Sequence, residues 1–194
     1  VAIGTSAGNT ATNYNGTYVG NTAGQGLDQV NSSTRSCFIG DGSGLYIESG
    51  VANTGLGAYA LQGGSAGLTG KSTVSAENVA IGYKAGYSFT TNTTNGCIAI
   101  GANAMGSSTA STGYGNVTIG GYAGQNLTSG SANLYYGYSA GRYGTTGSGN
   151  VGLGNNALVG NYSGDKFTGS SNVGVGESTG YNLSTGTNNV MVGS

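Results

Sequence analysis

The sequence predicts an all-β chain, a parallel β-solenoid of about eleven short coils joined by variable loops. Three observations carry that prediction. A short pattern, Asn-Val-x-Ile-Gly-x-x-Ala-Gly, returns along the whole chain, residues 1–194. The distance between copies varies while the pattern holds, as expected of a constant coil with loops of changing length. Proline is absent and glycine supplies 42 of 194 residues, about three times its usual share. A chain whose strands all lie inside a sheet has no place for proline, which cannot donate to the ladder.

Each coil is anchored on the glycine that follows an aliphatic pair: Gly4, Gly20, Gly40, Gly57, Gly82, Gly101, Gly120, Gly137, Gly154, Gly176 and Gly193. One residue before the anchor the column runs Ile3, Val19, Ile39, Leu56, Ile81, Ile100, Ile119, Tyr136, Leu153, Val175 and Val192. Three before it stand Val1, Thr17, Cys37, Thr54, Val79, Ile98, Val117, Leu134, Val151, Val173 and Val190. Residues two apart share a strand face, and these two columns are expected to point inward.

Three after the anchor, alanine is nearly constant (Ala7, Ala23, Ala60, Ala85, Ala104, Ala123, Ala140, Ala157), so the interior there should be tight. The next place is glycine in most coils and Leu61, Met105 or Leu158 in three; it is expected to close a second short strand. Four before the anchor, asparagine recurs at Asn53, Asn78, Asn116, Asn133, Asn150, Asn172 and Asn189. Asparagine bonds to nearby backbone at turns, and stacked in register it forms amide ladders. No helical apolar period extends beyond one coil.

The column two before the anchor should then face outward: Ala2, Tyr18, Phe38, Gly55, Ala80, Ala99, Thr118, Tyr135, Gly152, Gly174 and Met191. It is small or apolar almost throughout, and a long apolar stripe does not stay bare on a soluble protein. The expectation is a homotrimer about the long axis, with Ala2, Tyr18, Phe38, Ala80, Ala99, Thr118, Tyr135 and Met191 at the subunit interface. Eleven coils at ~4.8 Å would make a body roughly 50 Å long. The chain opens and stops inside a repeat, and reads as a single solenoid segment of a longer fibrous chain.

Two of these repeats, Asn78-Val79-Ala80-Ile81-Gly82-Tyr83-Lys84-Ala85-Gly86 and Asn116-Val117-Thr118-Ile119-Gly120-Gly121-Tyr122-Ala123-Gly124, resemble the head repeats of trimeric autotransporter adhesins, which carry a Ser-Val-Ala-Ile-Gly core. Asn53-Thr54-Gly55-Leu56-Gly57-Ala58-Tyr59-Ala60-Leu61 and Asn150-Val151-Gly152-Leu153-Gly154-Asn155-Asn156-Ala157-Leu158 are similar to the Asn-Thr-Ala-x-Gly-x-x-Ala-Leu repeats of phage and bacterial tail-fibre-type proteins. The resemblance implies a left-handed, trimeric parallel β-roll with two short strands per coil. The spacing here departs from the adhesin pattern, since Gly57 and Gly82 stand 25 residues apart, longer than an adhesin head repeat.

Composition narrows the chemistry. Charged residues make up 6% of the chain and the net charge is −1, so no basic patch exists for nucleic acid. No apolar run reaches the ~20 residues of a membrane span. Histidine is absent, which removes the usual triads. Asp28, Asp41, Glu48, Glu77, Asp165 and Glu177 form no pair at fixed spacing for glycoside hydrolysis. No catalytic, cofactor or metal residue is expected, and the chain is not read as an enzyme. Cys37 and Cys97 lie about 14 Å apart along the stack, too far for a disulfide, and read as small buried residues.

Tyrosines crowd two neighbouring coils. Tyr114, Tyr122, Tyr138 and Tyr143 are candidate glycan contacts, since tyrosine offers a large apolar face with a polar tip. The longest loops, 21–36, 41–53, 62–77 and 159–171, hold most of the charges and are candidates for contact with a glycan or protein receptor. The expected role is a structural and adhesive segment of a phage or virion tail fibre, located at the virion surface or outside the cell. The head of a bacterial trimeric surface adhesin is the alternative. An ice-binding solenoid lacks its regular threonine column, and a glycan-active enzyme lacks its acid pairs.

Overall fold

The computed structural model describes residues 1–9, 15–26, 35–63, 72–73, 76–87, 89, 95–107, 111–161 and 166–194. Asp28, Lys71 and Asp165 of the charged loops lie outside the described residues. The chain is an all-β parallel solenoid, and no helix occurs among the described residues.

Eleven strands stack in one parallel sheet: β1 (Ala2–Ile3), β2 (Thr17–Val19), β3 (Cys37–Ile39), β5 (Thr54–Leu56), β7 (Val79–Ile81), β8 (Ile98–Ile100), β9 (Val117–Ile119), β10 (Leu134–Tyr136), β11 (Val151–Leu153), β12 (Val173–Val175) and β13 (Val190–Val192). Two further strands, β4 (Ile47–Ser49) and β6 (Ser72–Thr73), pair separately. Register is kept by the repeat itself, so Val79 pairs Ile98, Ala80 pairs Ala99 and Ile81 pairs Ile100.

Three-residue strands are too short to hold a sheet by themselves. The corner after each strand continues the ladder. The amide of Gly101 donates to the Ile81 carbonyl at 2.8 Å, and that of Asn103 to Tyr83 at 2.9 Å. Met105 then donates forward to Ala123 at 3.0 Å. Each coil is thus bonded to both neighbours within five residues.

The anchor glycine makes this corner. Its φ lies at +126° in Gly101 and +127° in Gly82, a region closed to side chains. A Cβ on Gly101 would also come 2.6 Å from the Gly120 carbonyl of the next coil. Stacked glycines are therefore a condition of coil spacing as well as of the bend.

The strand faces are reversed from the sequence expectation. The column two before the anchor points into the coil: Tyr18, Phe38, Ala80, Ala99, Thr118 and Tyr135 are buried. Ala2 and Met191, in the two terminal strands, hold the same register, and Met191 packs against the core. The six buried residues line the interior of one chain and cannot be its subunit interface, while Ala2 is exposed and Met191 half-buried in the end coils. The two aliphatic columns face outward instead.

Volume compensation explains the mixed sizes of the inner column. Where it carries a large ring, the glycine four after the anchor makes room: a Cβ on Gly44 would lie 2.5 Å from the Phe38 ring, and one on Gly141 2.5 Å from Tyr135. Where the inner residue is Gly55, Ala99 or Gly152, that later place is filled by Leu61, Met105 or Leu158, all buried. Large and small alternate across facing positions so that the thin core stays filled. The small column after the anchor is buried as expected. Of its two polar members, Ser43 donates its hydroxyl to the Gly55 carbonyl at 3.0 Å and Thr179 donates to the Gly176 carbonyl at 3.0 Å.

Candidate interaction surfaces

With the inner column assigned, the outer face of the sheet is a strip two side chains wide and eleven strands long. Its 22 positions carry no charged residue, and only Thr17 and Thr54 among them are not apolar. Leu56 is 45% exposed and Tyr136 57%, while Ile81, Ile100, Ile119, Leu153 and Val175 are half-buried by their neighbours along the strip. Cys37 belongs to this face and is half-buried, so of the two thiols only Cys97 is buried; both are free.

Behind the strand, the asparagines form the expected ladder. The Asn116 amide oxygen accepts from the Asn133 backbone N–H and side-chain Nδ2, both at 3.0 Å. Asn133 does the same for Asn150 at 2.9 and 3.1 Å, and Asn150 for Asn172 at 3.0 and 3.1 Å. The Nδ2 of Asn116, Asn133, Asn150 and Asn172 also reaches a carbonyl of the following coil, as Asn133 does to Gly147 at 2.9 Å. From Asn116 to Asn172 these side chains are buried and spent on their neighbours in the stack.

A second ladder went unread in the sequence. Two places before the asparagine, the amide of Ser131 donates to Ser148 Oγ at 3.0 Å and that of Ser148 to Ser170 Oγ at 3.1 Å. The recurrence of serine at that place was the available signal.

The tyrosine candidates separate. Tyr122 and Tyr138 meet edge to face with ring centres 5.7 Å apart. The Arg142 guanidinium lies 4.6 Å from the Tyr122 ring centre and 5.2 Å from that of Tyr143. Its Nε donates to Gln125 Oε1 at 3.0 Å. Tyr114 is exposed but sits before β9, next to Gly115 and Asn116, whereas the other three follow their strands; it does not join the cluster.

A matching cluster, not anticipated from the sequence, lies on the same corner of earlier coils. The Lys84 ammonium stands 5.4 Å from the Tyr83 ring centre and 5.1 Å from that of Tyr87. Tyr59 meets Tyr83 edge to face at 6.1 Å. Asp41, which accepts from Asn21 Nδ2 at 3.0 Å, lies beside Tyr59, and its negative charge pushes the phenol up. The signal was present in the places one, two and five after the anchor, which bring Tyr83, Lys84 and Tyr87 of one coil together.

No group of three or more metal-ligating side chains occurs among the described residues. Nor is there, among them, a helix long and apolar enough to cross a membrane. No family model, curated protein or solved structure matches the chain.

Proposed function

We propose that the chain is a structural segment of a fibre of the phage or virion tail-fibre type, in which three copies pack in parallel about a common axis. The observation that carries this reading is the outward aliphatic strip. Burying apolar surface releases ~25 cal/mol per Å², and a continuous uncharged strip of this length is what an oligomer covers. Among the described residues most of the exposed large apolar side chains lie on this strip, and the core of one chain is only a few side chains wide.

Three parallel copies suit the strip because they bring like columns together at each level, aliphatic against aliphatic. Parallel copies also keep coil spacing equal across the contact, so register propagates along the whole length. The resemblance of the repeats to tail-fibre and adhesin repeats favours the same arrangement and a left-handed roll. A segment of this form supplies length and stiffness at a surface outside the cell, and its corners and loops are left for contact with a host.

Light scattering on the purified segment tests the reading. The expected molar mass is three times the 18.8 kDa of one chain. A monomer at micromolar concentration would sink it.

A further inference from the structure

We propose that the tyrosine-rich corner of the solenoid is a binding ridge for an acidic polysaccharide, a chain of sugar rings bearing carboxylates. The proposal takes from the fibre reading only where such a ligand is met. The binding itself does not depend on the number of copies.

Two clusters built on a cation and tyrosine rings lie on one corner, the first also holding Asp41 beside Tyr59. In each, a single cation is held over two tyrosine rings: Lys84 over Tyr83 and Tyr87, Arg142 over Tyr122 and Tyr143. The cations sit in the coils of β7 and β10, three coil spacings or about 14 Å apart along the axis. Tyr83 is 48% exposed and Tyr138 56%, so ring surface remains open beside each charge. An aromatic face stacks on the apolar C–H face of a sugar ring, and its hydroxyl serves the ring's polar edge.

Among the described residues neither Lys84 nor Arg142 has a carboxylate within ion-pair distance. Arg142 uses Nε on Gln125, which fixes the guanidinium plane and leaves its two terminal amino groups for a carboxylate, the pairing in which arginine is strongest.

The backbone at this corner decides which substitutions suit a test. The place two after the anchor is left-handed in every described coil, and Gly42, Asn103 and Asn156 occupy it in three of them at φ +61°, +57° and +54°. Glycine and asparagine are the residues that conformation favours. Yet Tyr59, Lys84 and Tyr122 stand there at φ +59°, +54° and +60°. Each costs about 1 kcal/mol relative to an unstrained choice, as do Ser6, Thr22, Ser139 and Ser178 at the same place in other coils.

The same strain makes the test clean. Tyr122→Asn and Lys84→Asn remove ridge side chains while installing the residue the backbone prefers. Titration calorimetry of the whole chain with oligogalacturonate should detect binding that weakens as salt is added. Each substitution should lower the affinity about tenfold, with the melting temperature unchanged or raised and the molar mass unchanged. Unaltered affinity in both variants, equal binding of neutral dextran oligomers, or no binding of oligogalacturonate to the native chain would overturn the proposal. Binding by a chain that proves monomeric would remove the fibre reading and leave the ridge standing.

Discussion

At the scale of single residues, Cys97 is the one break within the asparagine ladder between Asn53 and Asn189. Its backbone N–H takes the link from Asn78 Oδ1 at 2.9 Å, but a thiol has no amide oxygen to hand on to Asn116. Its sulfur only grazes the Gly113 carbonyl at 3.5 Å, where Asn116 places a full hydrogen bond on Gly130 at 2.8 Å. Cys97→Asn should therefore restore two or three hydrogen bonds and raise unfolding stability by about 1–2 kcal/mol in a denaturant titration. The same substitution should change the alkaline behaviour. Burial pushes the Cys97 thiol above its ordinary value of 9.0. Below that pH both folded and unfolded chains hold the proton; above it the unfolded chain releases it more readily, so stability declines as pH rises. The asparagine variant should show a shallower decline between neutral and alkaline pH, and an equally steep one would contradict this account.

At the scale of the strand and corner, much of the design was legible. The anchor glycines, the small buried column and the asparagine ladder each lie where a one-coil repeat requires them. The two-residue period correctly put Val79 and Ile81 on one face and Ala80 on the other. It does not say which face is inside, and a wrong choice flips every side chain together. Isoleucine and valine ordinarily mark a core, whereas here the interior is so narrow that it takes Gly55, Ala80, Ala99 or a single ring such as Tyr135. The paired sizes of Phe38 with Gly44 and Gly55 with Leu61 held the missing information, because such compensation arises only between residues that touch. Tyr114 was grouped with the other tyrosines by nearness in sequence, and the strand between it and Tyr122 carries them apart. The corner also makes a quantitative claim. Gly101→Ala should cost about 3 kcal/mol or more, since both its φ and the Gly120 carbonyl exclude a Cβ. Ala132→Gly, at φ +55° in a place held by Gly96, Gly115 and Gly149 in other coils, should gain up to about 1 kcal/mol. Thermal melts of the two variants should move in opposite directions.

At the scale of the whole molecule, the outward strip is where the proposed trimer would join thin single-chain cores into a shared one. If copies meet there, a charge placed mid-strip is fatal to assembly but tolerable to the fold. Ile100→Lys with Ile119→Lys should reduce the sedimenting species to monomers while the circular dichroism of the sheet persists. A trimer that survives both substitutions would place the contact elsewhere. The ladder direction has a mechanical consequence. Every bond from coil to coil, from Gly101 to Ile81 as from Asn133 to Asn116, runs along the long axis. An axial pull therefore loads the coils in series and opens them one at a time from an end, rather than shearing many bonds at once. The coil from Gly120 to Gly137 holds 17 residues, and so lengthens from ~4.8 Å to about 55–60 Å when released. Under tension the stack would yield in small steps, longer where a coil carries a longer loop, and dissipate work at each, so that it acts as a shock absorber along its length.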